Sequence, residues 1–253
     1  MKELKEVRLR RRERGRITIV RPLSASRWCT LAAFCVVLTS VALAQSPSTQ
    51  PGSLPASQPA ARPASPEVLK QVQERLKKVK TVQSEFTQEK DLAVLKHKLL
   101  IKGTFALEQP NRVVWNVREP VRYMIRVEGD EVRQWDQDTD KVKTIHVGND
   151  PTFKAVTEQI QAWFLGDYEA LSQTYDVSVI GENPLSLGFT PKAGTMVGKV
   201  LQHVNVGFGQ GDAYINRMVV REASGGVTTL DFLAPTLNEP IPPRTWEIPP
   251  RDR

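Results

Sequence analysis

The residues able to do acid–base, nucleophilic or metal chemistry are few and dispersed. His97, His146 and His203 stand in three separate segments, and none has a second His, a Cys or a carboxylate at metal-ligand helix spacing. No metal site is expected. The sequence contains no Gly-x-Ser-x-Gly elbow, no phosphate-binding Walker loop and no His-Glu-x-x-His. Gly207-Phe208-Gly209-Gln210-Gly211 has the glycine content of a nucleotide loop but not its third-glycine spacing, and it runs toward a strand pattern rather than a helix. It reads as a hairpin turn. Asp136, Asp138 and Asp140 are spaced like calcium ligands, yet they lack the glycine and terminal glutamate of an EF-hand loop and lie between strand signals. A solvated turn is expected there. With no catalytic residue and no cofactor in view, the chain reads as a binding protein rather than an enzyme.

The large apolar residues are then the informative ones. Phe105, Trp115, Trp135, Phe153, Trp163 and Phe164 fall in the first half of the domain, where a curved sheet and a covering helix would meet. A cavity for an acyl chain would be lined this way, and so would an ordinary core.

The elements that must position these residues follow from periodicity. Ser65 as N-cap, Pro66 at the first helical position, and Leu69, Val72, Leu76 and Val79 at spacings of three and four predict a first helix. Its other face carries Lys70, Arg75 and Lys78, as for a helix packed on a sheet. Short alternating segments come next, around Phe86, from Leu99 to Leu107, through Val113, Trp115 and Val117, and through Tyr123, Ile125 and Val127. Breaks at Gln109-Pro110-Asn111, Glu119-Pro120 and Glu128-Gly129-Asp130 are short enough for antiparallel hairpins. Further strands are expected near 132–137, 141–147, 174–180, 184–190, 199–207, 213–222 and 226–233. One helix interrupts the series, from Asp150-Pro151 to Gly166, with Val156, Ile160, Trp163 and Phe164 on one face. It is either permanent core or a lid over a cavity; periodicity alone favours core. So many strands in one domain predict a strongly curved sheet, a sandwich or a barrel.

Ahead of the domain lie two segments of another kind. The basic run Arg10 to Arg16, the apolar stretch Trp28 to Leu43 and the triplet Ala42-Leu43-Ala44 read as a secretory signal peptide over 1–44, with cleavage before Gln45. An uncleaved anchor is the alternative that the long basic region leaves open. Either way the domain is exported, and the periplasm is its expected place. Both cysteines, Cys29 and Cys35, lie in that segment, so no disulfide is expected in the mature chain. The segment also holds 10 of the 35 basic and 3 of the 28 acidic residues, which leaves 25 of each beyond it. A balanced mature chain without a basic stripe does not suit nucleic acid. Residues 45–65, almost wholly Ser, Pro, Ala, Gln and Thr, read as a disordered tether, and 66–253 as one folded domain, taken as a monomer.

Phe86-Thr87-Gln88, then Gly103-Thr104-Phe105 with Leu107, Pro110 and Trp115, then Glu128-Gly129-Asp130 leading to Trp135-Asp136, resemble the periplasmic outer-membrane lipoprotein carrier (LolA-like) family. Later stretches continue the likeness: Leu185-Ser186-Leu187 through Pro191-Lys192, Ile215 to Arg221, Thr228 to Phe232, and Trp246-Glu247-Ile248-Pro249. The resemblance implies an incomplete antiparallel β-barrel closed by helices, whose concave face takes up acyl chains of lipoproteins between an inner-membrane releasing transporter and an outer-membrane acceptor. Cavity and lid would then be built from Leu76, Phe86, Phe105, Leu107, Val113, Trp115, Ile125, Trp135, Val156, Ile160, Trp163 and Phe164. In typical members a basic residue before the motif proline latches the lid. Here that position is Gln109, a neutral side chain with fewer donors, and Arg112 is the nearby candidate substitute. A carrier of another amphiphile, such as a glycolipid or pigment intermediate, and a partner-binding or sensor module on the same fold are the alternatives.

Overall fold

The computed structural model describes residues 61–91, 97–149 and 162–249. The signal segment, residues 45–60 of the tether, and Phe153, Val156 and Ile160 lie outside them.

The domain is one antiparallel sheet with helices on one face. Its strands are β1 (Arg62–Pro63), β2 (Thr81–Asp91), β3 (Leu99–Glu108), β4 (Arg112–Glu119), β5 (Tyr123–Glu128), β6 (Glu131–Asp136), β7 (Lys141–His146), β8 (Tyr175–Glu182), β9 (Leu185–Pro191), β10 (Leu201–Phe208), β11 (Ile215–Glu222) and β12 (Val227–Leu237). All twelve lie in the order β1-β8-β9-β10-β11-β12-β2-β3-β4-β5-β6-β7. The sheet is not closed, because β1 and β7 each have a single neighbour. Two runs of hairpins, β2–β7 and β8–β12, meet where the last strand pairs with the first of the other run, Phe232 opposite Phe86.

Helix α1 (Pro66–Lys78) begins at Ser65, whose hydroxyl accepts from the Val68 N–H, and buries Val72 and Leu76. Its start is tied to β8 by the Ala64 N–H to Val177 carbonyl bond, and its end lies against the β3–β4 turn. Thirteen helical residues span about 20 Å. A flat sheet with strands about 4.8 Å apart would place β8 and β3, six positions apart, about 29 Å from each other. The sheet therefore curls around the helix.

The proline-rich tether, expected to run to residue 65, gives way to the fold earlier. Arg62 pairs with Val179 and Pro63 with Ser178, so an extended proline-containing backbone serves as an edge strand, where the missing N–H costs no ladder bond. A second departure is α2 (Tyr168–Thr174), a helix unforeseen between Gly166 and the strand after it. Residues 162–165 are helical and end at Gly166, with φ +77° and an Asp167 N–H to Ala162 carbonyl bond, a Schellman closure. Asp167 then caps α2 by accepting from the Ala170 N–H, so one Gly-Asp step ends a helical turn and starts the next helix.

Alternation along the strands separates two apolar clusters. The larger faces the helices and includes Phe86, Phe105, Trp115, Ile125, Phe189, Val206 and Phe232; the smaller, on the opposite face, holds Ala106, Val114, Met124, Trp135 and Trp246. The segment 238–249 crosses that outer face as a strap. Asn238 bonds Thr81 and Lys80, Arg126 donates to the Trp246 carbonyl, and the Arg112 guanidinium lies 4.1 Å above the Trp246 ring.

Gly103 shows why the motif needs a glycine. It sits opposite Phe86, whose ring folds over it, at a register shift between β3 and β4. A Cβ there would strike both that ring and the Asn116 carbonyl oxygen. Gly103→Ala is expected to cost about 1–3 kcal/mol, read as a lower urea midpoint at unchanged slope; an unchanged midpoint would mean that β3 shifts freely to make room.

Candidate functional site

The inner face is floored by interlocked rings. Phe86 and Trp115 lie 4.0 Å apart between centroids, Phe105 is 5.7 Å from Trp115, and Phe232 is 5.2 Å from Phe105. A second group centres on Phe189, 5.9 Å from Tyr168 and 6.1 Å from Tyr175. The helical turn 162–165 bridges the two. Phe164 lies 5.0 Å from Phe105 and 5.7 Å from Phe232, while its neighbour Trp163 lies 4.5 Å from Phe189 and 5.7 Å from Tyr175. One turn of helix thus holds both halves of the sheet through adjacent side chains. Tyr168 is fully buried, which pushes its phenol well above the ordinary range, and its hydroxyl reaches the Trp163 carbonyl at 3.4 Å.

Nine of the residues expected to line a cavity come together here: Leu76, Phe86, Phe105, Leu107, Val113, Trp115, Ile125, Trp163 and Phe164 all belong to the inner cluster. Trp135 does not. It is on the outer face beside Met124, and its indole N–H donates to Asp140, because β6 places it one residue out of phase with Val132. Phe189, Phe208, Tyr168, Tyr175 and Phe232 complete the cluster and were not singled out from sequence. Phe189, Phe208, Tyr175 and Phe232 lie in strands of the second run, whose alternation is legible, whereas Tyr168 lies in α2.

Beneath Gln109 the described side chains leave little space. The cavity lined by Leu76, Phe105, Leu107, Gln109, Phe164 and Phe232 has a volume of only about 20 Å³, whereas a bound lipid-sized ligand occupies several hundred Å³. A larger recess of about 1030 Å³ lies on the surface between α1, α2 and β8, and its walls mix Leu69 and Val177 with Lys70, Glu74, Lys77 and Lys192. The acidic turn is the solvated turn expected: the Asp136 carboxylate accepts from the N–H and hydroxyl of Thr139. His203, half-buried against Thr190 and Asn205, is held below its ordinary pKa chiefly by burial.

Gln109 and Arg112 lie on different parts of the fold. The Gln109 amide donates to the carbonyls of Val79 at 2.7 Å and Leu76 at 3.3 Å. It satisfies the Val79 carbonyl and adds a second bond to the Leu76 carbonyl, which also accepts from the Val79 N–H, so among the described residues it fastens α1 to the β3–β4 turn. Arg112 lies elsewhere. Its side chain points to the outer face, paired with Glu108 and Glu128 and stacked on Trp246.

One substitution tests this division. Gln109→Glu would set a carboxylate against two carbonyls and the negative end of α1, at a cost of about 1–3 kcal/mol. The introduced carboxyl would have a raised pKa in the folded state, so the deficit should be small below about pH 4 and grow as pH rises through the carboxylate range. Urea titrations across pH read it; a deficit independent of pH would place the side chain in solvent.

A family model for the outer membrane lipoprotein carrier protein LolA matches residues 77–248. No curated protein sequence matches the chain. Solved structures with a similar arrangement include a DUF1329 family protein from Desulfovibrio piger, at 11% identity and TM-score 0.41 over 71% of this chain and 95% of that one. A LolA superfamily protein from Nitrosomonas europaea is similar at 10% identity and TM-score 0.39, over 71% and 97% of the two chains. MucB in the MucA/MucB complex of Pseudomonas aeruginosa is similar at 11% identity and TM-score 0.44, over 71% of this chain and 59% of that one. With the match running from the end of α1 to the strap, over one unclosed antiparallel sheet, the chain belongs to the outer membrane lipoprotein carrier protein LolA family.

Proposed function

We propose that this protein is a non-enzymatic carrier in the bacterial envelope that takes the acyl chains of a lipoprotein onto the inner face of its sheet. The observation that carries this reading is the plug made by Trp163 and Phe164. Two adjacent rings occupy the space between the two halves of the sheet, held by apolar contact and by a short helical turn. An acyl chain entering that space would replace ring–ring contact with ring–chain contact, so the exchange is nearly balanced, as a carrier that must also release its cargo requires. Burial of the chain supplies the drive, at about 25 cal/mol per Å² removed from water, without a covalent step or cofactor. The protein is exported to the periplasm by the N-terminal segment, receives its cargo from an inner-membrane transporter and passes it to an outer-membrane acceptor. Among the described residues no helix is long and apolar enough to cross a membrane.

A second reading draws on the small space beneath Gln109. A partner-binding module would keep the same rings as permanent core and have no use for a space larger than the about 20 Å³ seen beneath Gln109.

The two separate on one experiment with the full mature chain and a fluorescent acyl probe. The carrier reading expects saturable uptake, and expects Phe164→Ala and Trp115→Ala to shift probe affinity by about tenfold or more in addition to lowering the melting temperature. A chain that takes up no probe, with both variants merely less stable by about 3–5 kcal/mol, identifies these rings as core and favours the partner module.

A further inference from the structure

Four polar side chains are buried among the described residues: Ser84, Gln88, Lys90 and Thr228. Ser84 is accounted for by bonds to the backbone carbonyls of Glu85 and Leu233. The other three form one patch. Gln88 and Lys90 alternate with Phe86 along β2 and so share its inner face, and Thr228 on β12 is the register partner of Lys90. The Gln88 side chain is 2% exposed, as is that of Thr228, and neither Gln88 Oε1 nor Thr228 Oγ1 has a hydrogen-bond partner among the described residues. Their neighbours across the sheet are apolar: Ile101 opposite Gln88, Leu99 opposite Lys90 and Val220 opposite Thr228.

A fold that buries an amide oxygen and a hydroxyl unpaired forgoes stability that a ligand's hydrogen bonds would restore. The inner face is thus amphiphilic along β2 and β12, with rings at Phe86 and Phe232 and polar groups two to four residues further along. We propose that this patch is a head-group subsite that recognises the amide linkage of an N-acylated amphiphile, the acyl chain lying over the rings. The amide N–H donates to Gln88 Oε1, and the amide carbonyl accepts from the Thr228 hydroxyl. An ester-linked chain of the same length has the carbonyl but lacks the N–H, so it leaves Gln88 unpaired. This inference rests on the acyl-chain reading above and adds the chemistry of the head.

The test uses the full mature chain and two neutral probes of equal length, N-methylpalmitamide and methyl palmitate, with palmitate as a third. The amide is expected to bind about tenfold more tightly than the ester. Gln88→Leu, close in volume, and Thr228→Val should each reduce that ratio toward one. Equal affinity of amide and ester in the unaltered protein overturns the subsite even if neither variant folds. Palmitate binding more tightly than both overturns it too, because the patch would then select an oxyanion through Lys90. If none of the three binds, the carrier reading falls, and this inference with it.

Discussion

An antiparallel sheet with two free ends can bury its apolar face only by bending around something. Among the described residues that something is α1, the helical turn at 162–165 and α2. Leu76 of α1 and Phe164 of the turn at 162–165 meet the strands that join the two hairpin runs, and Gly166 packs directly against Leu76. Curvature, the seam at Phe86 and Phe232, and the enclosure of the rings all depend on this contact. The two hydrogen bonds from Gln109 fix where α1 ends, and the ion pair between Arg75 and Asp212 ties the same helix to the β10–β11 turn. Polar contacts at the rim therefore set the position of an element whose stabilisation is apolar.

The outer face is organised by a different rule. Trp246 seals Ala106, Val114, Met124 and Trp135, and its position is enforced by a guanidinium on its ring and another on its carbonyl oxygen. The side chains of Arg112, Arg126, Glu128 and Glu131 form a connected set of ion pairs beside it. Pairs at such an exposure contribute little individually, but as a network they orient the ring. The inner face is consequently relieved of holding the sheet together alone, and its rings can serve a ligand without the outer half losing its packing.

Much of this was legible in the sequence. The period-two alternation and the turn residues between segments located every strand from β2 to β12, and most of these strands have one buried face. The N-cap at Ser65 and the stop at Gly166 were legible for the same reason: their chemistry is local. What stayed hidden depends on the other side of the sheet. Arg112 looks like a neighbour of Gln109 three residues away, yet strand geometry sends it to the opposite face, and no local signal says that Trp246 waits there. Trp135 has the composition of a cavity residue, and only its pairing with Met124 assigns its face. Helix α2 was missed because Tyr168 and Leu171 give too short an apolar pattern to distinguish from a loop, although Asp167 is a sound cap.

The edge strand β1 has a mechanical meaning. The proline-rich stretch enters the domain at Arg62, so tension along that stretch reaches the fold first at β1, in contact with β8 alone. Two register pairs and one exposed ion pair, Arg62 with Glu182, resist it. These yield well before α1, which is fastened at its far end by Gln109 and along its length by buried side chains. Pulled from the N-terminal side, the molecule would peel by a few residues in a small early step and keep its rings enclosed, a release that single-molecule stretching would record ahead of the main rupture.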